Sequence, residues 1–327
     1  NVFIVGQFYD SVKLLRRATA QWAMMRILIP SLMVLAKLPV WAARVPINFI
    51  EQQVWLEVLD HHGAGGSARV HRWIENDATA LGQVYGRWPH EEWQVTVSAT
   101  SRASRDPVPW ARVLRGSPDK VEFYIAPTAT EAALLEDWTA YHEFSHLLIP
   151  YRGWGDKWFS EGLASYYQNI LRRRIGMLSE HEFWEKLHRG FLRGRADNRH
   201  ASESLDTLSD KLHSTRSYMR VYWSGAWYFL QADYELRRRS GNRRSLDTAL
   251  ADLAACCARE TWSAYRIASQ LDELTGEDLF VPLLRKARVS REVPDYESLF
   301  RALSIDIEGE SLALRAGGSE TGIRAGM

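Results

Sequence analysis

Apolar and polar positions follow two different rhythms along this chain, and the change falls near Pro127. Before it, Trp93–Ala99 alternates in the two-residue period of a half-buried strand, and Val121–Ile125 is a short β-prone run closed by Pro127. Residues 47–59 alternate more loosely and predict a further strand. His61–Ser67 is a glycine-rich break, and residues 68–84 then carry apolar positions at helical spacing. Pro107, Pro109 and Gly116 punctuate the stretch between the two clear strands.

Beyond Pro127 the helical period dominates. Thr128 and Glu131 have capping-box spacing and predict a helix running to Leu148, stopped before Pro150. Ser160 is expected to cap a second helix through about Ile175, with Gly176 as its stop. Ser179 and Glu182 repeat the capping box ahead of a third. A long helix is predicted over 217–239, ending at Gly241, with shorter ones at about 245–258, 263–274, 277–287 and 295–303. Gly317, Gly318, Gly322 and Gly326 predict a loose tail.

This order of elements predicts an α+β fold. A sheet-containing N-terminal lobe (about 44–127) precedes a mostly helical C-terminal lobe (128–305), and a loose tail covers 306–327. The first two helices of the second lobe stand at the junction, where clefts form. The 327 residues are 46% hydrophobic and 25% charged, which suits a globular chain with a sizeable core. Lys plus Arg (41) nearly balances Asp plus Glu (40), so no global field points to nucleic acid or an anionic membrane. The 14 tryptophans are read as large core residues. Cys256 and Cys257 are adjacent and cannot staple distant parts of a fold or form a cysteine-rich zinc site.

The N-terminus has a signal-peptide outline: Met24-Met25-Arg26, an apolar run from Ile27 to Ala36, and a small-residue exit at Ala42-Ala43. Pro30, Lys37 and Pro39 make it a poor membrane span. Residues 1–43 are therefore expected to be a leader, and the protein to be exported to periplasm or medium; an amphipathic first helix in a cytoplasmic protein is the competing reading.

Chemistry concentrates in residues 141–148, Tyr-His-Glu-Phe-Ser-His-Leu-Leu. His142 and His146 are four apart, so a helix projects both imidazoles from one face, one turn apart, in reach of a single zinc ion. Glu143 sits beside His142 and can take a proton from a water held there without itself ligating. Glu161, fourteen residues beyond His146 and near the start of the next helix, supplies a third ligand if the intervening loop reverses the chain. Gly162 and Ala164 beside it permit close helix approach.

His142-Glu143-x-x-His146 followed by Glu161-Gly162-x-Ala164-Ser165-Tyr166-Tyr167 resembles the gluzincin zinc metallopeptidases, most nearly their glycyl-aminopeptidase-like branch. Tyr222-Trp223-Ser224-Gly225-Ala226, Leu230-x-x-Asp233-x-x-Leu236-Arg237, Ser240-Gly241 and Ser245-Leu246-Asp247 extend the resemblance over about residues 120–260. It implies a thermolysin-like two-lobed zincin fold, one Zn²⁺ per chain, and a peptide or protein substrate. Tyr222, three residues before the helix glycine, takes the place of the tyrosine that points its hydroxyl at the metal in that branch, and a positioned phenol there can stabilise a developing oxyanion. Tyr218 is the alternative one turn earlier. The family's upstream segment whose glutamate grips a substrate's free amine has no counterpart in Lys120–Thr130, where Glu122 alternates as on a strand face.

Asp156 and Ser165 are candidates for orienting the ligating histidines. The runs Arg172–Arg174 and Arg237–Arg239 are read as solvated helix ends, and His181, His188, His200 and His213 as surface or structural. The expected function is zinc-dependent peptide hydrolysis, with an aminopeptidase as one form of it. Its rivals are hydrolysis of a non-peptide substrate at the same metal and a non-catalytic zinc-binding interaction protein.

Overall fold

In a computed structural model, residues 44–59, 66–101, 104–151 and 155–327 are described. The expected signal segment (1–43) lies outside them. Alternation in the first lobe resolves into five strands. The stretch read as one strand over 47–59 is a hairpin, β1 (Arg44–Phe49) and β2 (Gln52–Val58), because Ile50 turns the chain at φ 54°. Helix α1 (Gly66–Gly82) then crosses over to β3 (Trp93–Ala99), which runs parallel to β2. A strand not foreseen, β4 (Trp110–Leu114), lies antiparallel to β5 (Asp119–Ile125) and forms one edge of the sheet. The order is β1-β2-β3-β5-β4.

The buried face of this sheet is aromatic. Trp73 of α1 meets Phe123 edge-on at 5.2 Å, and Trp93 and Phe123 both meet Phe144, at 5.1 and 5.6 Å. Rings of this size bury much apolar area and fix orientation through their edge-to-face preference. Phe144 thereby docks the histidine-bearing segment on the sheet.

That segment is not the single helix expected. Thr130, not Thr128, is the cap: its hydroxyl accepts from Ala133 N and opens a short α2 (Glu131–Glu136). The chain is extended at Asp137 (ψ 146°), whose carboxylate accepts from Thr139 N at 2.7 Å and starts α3 (Thr139–Ser145). An aspartate's bond to nearby backbone competes with helix continuation, which is the reason for the break. A 3₁₀ turn, His146–Leu148, follows.

Helix α4 (Lys157–Arg174) begins before Ser160, so Ser160 is inside it and Asp156 (φ 51°) precedes it. The capping box at Ser179 and Glu182 opens α5 (Glu180–Ala196). Short helices α6 (Leu205–Asp210) and α7 (Leu212–Thr215) lead to the long α8 (Tyr218–Ser240), closed by Gly241 at φ 60°. Then come α9 (Leu246–Cys257), α10 (Ala264–Thr275), α11 (Phe280–Arg288) and α12 (Glu297–Ala302). Cys256 and Cys257 are joined to each other by a disulfide.

The tail is ordered. A hairpin, β6 (Ile305–Glu308) and β7 (Ser311–Leu314), turns at Gly309 (φ 66°), and α13 (Thr321–Gly326) follows. Two histidines of α5 hold it, His181 to Leu312 O at 3.0 Å and His188 to Gly309 O at 2.9 Å, and Arg324 pairs with Glu180. The arginine runs are solvated ends only in part: Arg238 and Arg239 are exposed, whereas Arg174 pairs with Asp247 and buried Arg237 pairs with Asp233 at 3.0 Å. Among the described residues no helix is long and apolar enough to cross a membrane.

Candidate metal centre

The site stands where α3, α4 and α8 meet. Helices α4 and α8 cross so closely that the backbones touch: a Cβ on Gly162 would lie 2.7 Å from Gly225 O, and one on Gly225 would lie 2.7 Å from Gly162 Cα. Only glycine at both positions allows this approach. Further along, Tyr166 donates to Asp233, which also accepts from Arg237 and Leu246 N. Tyr167 donates to Asp247 at 2.7 Å. The paired tyrosines thus fasten α4 to α8 and α9, and the crossing sets where Glu161 and Tyr222 stand.

His142 and His146 keep helical spacing although the helix tightens between them, with rings 5.0 Å apart at 88°. Each imidazole is oriented through Nδ1. Gln168 Oε1 holds that of His142 at 2.9 Å, and Ser160 Oγ holds that of His146 at 2.9 Å. An amide oxygen only accepts, so His142 Nδ1 carries the hydrogen and Nε2 presents a lone pair. Glu161 Oε2 lies 3.2 Å from His142 Nε2 and 3.8 Å from His146 Nε2. One atom of each of the three residues falls within 4.8 Å of the others, and all three are buried.

The electrostatics of this cluster call for a cation. Glu143 is fully buried, and neither of its carboxylate oxygens has a hydrogen-bond partner. Burial, reinforced by the charge of Glu161, pushes its carboxyl up to about 8. Burial, with His142 and Arg115 nearby, holds His146 well below the ordinary imidazole range, which suits a neutral ligand. Burial also lowers His142, but Glu161, Glu143 and Gln168 outweigh it and the net direction is upward. A buried pair of carboxylates beside two imidazoles is a costly arrangement unless positive charge is shared among them. The donor set, two imidazoles and a carboxylate with their outer nitrogens already held, fits a zinc ion. Arg115 steadies the end of this segment by donating to the carbonyls of His146 and Ile149.

Tyr222 of α8 stacks over His142 with centroids 6.0 Å apart and planes 21° off parallel. Burial, followed by the charges of Glu161 and Glu143, holds its phenol well above the ordinary range, so it remains a donor. A cavity of about 880 Å³ opens beside it and is lined by His142, Ser165, Gln168, Tyr218 and Tyr222, among others.

The structure therefore brings His142, Glu143, His146, Glu161 and Tyr222 together. The carboxyl of Asp156 faces Arg288, Asp206 and the backbone of Ala264. Ser165 lines the cavity, and its carbonyl accepts from Asn169. Gln168 and Ser160 hold the rings instead. Gln168, two turns beyond Glu161 on one helix face, had a readable spacing, whereas Ser160 resembled a cap. Glu122 lies in the sheet, paired with Arg112 and Lys120.

No family model and no curated protein matches the sequence. Solved structures do match the fold. An aminopeptidase N family protein from Idiomarina loihiensis aligns with TM-score 0.61 and 14% identity, over 81% of this chain and 50% of that one. A mutant of the M1 zinc metallopeptidase from Deinococcus radiodurans, bound to a Tyr-Ser-Ala substrate, aligns with TM-score 0.50 and 13% identity, over 77% of this chain and 52% of that one. The chain spans about half the length of these structures. It carries the fold of M1 zinc metallopeptidases, and within that fold it gathers two histidines and a glutamate into a buried cluster that could hold a metal.

Proposed function

We propose that this chain is a zinc-dependent peptidase of thermolysin-like zincin architecture, with one Zn²⁺ held by His142, His146 and Glu161. The observation that carries the reading is Glu143. A carboxylate this buried, with both oxygens unpartnered, destabilises the fold unless it serves something, and it stands next in the chain to a ligating imidazole. Zinc at this site would supply Lewis-acid polarisation of a carbonyl and a water acidified toward neutrality.

The residues of the chain do the rest. Glu143 accepts a proton from the attacking water and later delivers it to the leaving amine. Tyr222 keeps its hydrogen and donates to the oxygen on which negative charge builds. Gln168 fixes the tautomer and orientation of His142, and Ser160 holds the ring of His146 in place. An extended substrate has a place to lie: β4 is one of the sheet's two edge strands, and Val108 and Pro109, which lead into it, line the cavity.

The test is Glu143→Gln. The variant is expected to bind zinc as the wild type does, by elemental analysis, while peptide hydrolysis falls by about 10²–10⁴-fold. Near-wild-type hydrolysis would remove Glu143 from the mechanism.

A further inference from the structure

The cavity beside His142 and Tyr222 is unevenly charged. Five cations line it, Arg172, Lys186, Arg189, Arg193 and Arg216, against two carboxylates, Asp106 and Asp137. Three of the cations, Lys186, Arg189 and Arg193, repeat at helical spacing on the face of α5 turned to the cavity. Arg189 pairs with Glu185 at 2.7 Å, whereas Arg172, Lys186, Arg193 and Arg216 enter no ion pair among the described residues. Of the carboxylates, Asp137 accepts from Thr139 N and also bears on Arg172.

A charged helix face is ordinarily solvated, and exposure of Lys186, Arg193 and Arg216 at the mouth is consistent with that. Arg172 is different. It is more than nine-tenths buried, its Nη2 donates to Glu136 O at 3.1 Å, and its Nε is buried with no hydrogen-bond partner. Partial burial, then the neighbouring Arg172 and Arg189, lowers the ammonium of Lys186, and the nearby Glu182 and Glu185 do not offset this. Asp137, Asp77, Glu182 and Glu185 offset part of this charge, but on the cavity wall the cations outnumber the carboxylates, an excess that favours entry of a negative group. Gln168, Asn169, Trp138 and Trp223 on the same walls suit a peptide.

We propose that this cavity binds a carboxylate of the substrate, so that the enzyme acts on acidic peptides. The proposal rests on the peptidase reading of the metal site. A carboxylate can come from an Asp or Glu side chain next to the scissile bond or from the free C-terminus of a short peptide, and the guanidinium of Arg172 with the cations at the mouth recognises either.

The test uses the full chain loaded with zinc and matched peptides that differ at one residue (Glu, Gln or Lys), each with a free or an amidated C-terminus. A preference of about tenfold in kcat/KM for the carboxylate-bearing member is expected, weakening as ionic strength rises. Loss of preference on Glu-to-Gln exchange in the peptide assigns the anion to a side chain, and loss on amidation assigns it to the C-terminus. The double variant Lys186→Glu with Arg193→Glu should abolish the preference, and Arg216→Gln, on another element, should weaken it; all three side chains are exposed, and circular dichroism checks the fold. Equal rates on Glu, Gln and Lys peptides, with no effect of charge reversal, would overturn the proposal and leave the peptidase reading intact. A second measurement separates the two. Fluorescence anisotropy of a labelled acidic peptide on Glu143→Gln reads binding without turnover. Salt-sensitive binding with no hydrolysis by wild type keeps the anion site and removes the peptidase.

Discussion

Gly162→Ala perturbs the site through packing alone. A methyl there would sit 2.7 Å from Gly225 O and closer still to Gly225 Cα and C, where ordinary contact begins near 3.4 Å. The two helices must therefore separate by about 1 Å to relieve the nearest contacts, since the obstacle is backbone and cannot rotate away. Overpacking in cores costs about 1–3 kcal/mol, and a backbone-to-backbone clash belongs at or above the top of that range. Glu161 precedes the crossing and Tyr222 is one turn from it, so both shift relative to the histidines. The variant is expected to lose about 3 kcal/mol in urea unfolding and to bind zinc more weakly in a chelator competition. Gly322→Ala, where an added Cβ meets nothing within 4 Å, is the control and should match wild type in both. If Gly162→Ala matched the control in stability and zinc affinity, the close crossing would not be what positions the site.

Two further outcomes follow from named groups. Gln168→Leu strips the Nδ1 partner from His142 and should weaken zinc binding by about 10–100-fold with the fold retained, read by competition with a chromophoric chelator; unchanged affinity would remove Gln168 from the site. Asp77 is buried in α1, with one oxygen accepting from Asn76 and the other unpartnered, and burial raises its carboxyl well above the ordinary range. Its unfolded form therefore loses the proton first, so stability falls as pH rises through the ordinary carboxyl range toward the raised value, and stays lowered above it. Asp77→Asn should stabilise the protein by about 1 kcal/mol at neutral pH and by nothing once both states are protonated, in unfolding curves across pH; a gain that persists unchanged into strong acid would contradict this.

What could be read from the sequence was what local geometry decides. Two histidines four apart face one way on any helix, so their pairing needed no tertiary knowledge, and glycine and alanine beside Glu161 announced a close neighbour. Trp93–Ala99 and the capping box at Ser179 were legible for the same reason: period and cap chemistry are local. The misses are non-local or competitive. β4 is five residues long and owes its place to pairing with β5, which no window of sequence contains. Asp137 interrupts a helix by bonding the backbone ahead of it, an alternative that apolar periodicity does not register. Ser160 reads as a cap by residue type, yet its hydroxyl is used by a histidine fourteen positions back. Four glycines from 317 onward suggested looseness, whereas the tail begins with a hairpin, turned at Gly309, that α5 holds down.

Metal content bears most directly on the proposed chemistry. Protein purified without chelator and assayed by elemental analysis should carry one zinc per chain, and Glu161→Ala should lose most of it while remaining folded. Absence of zinc in the wild type after exposure to it, or full occupancy in Glu161→Ala, would mean that His142, His146 and Glu161 do not together form the site.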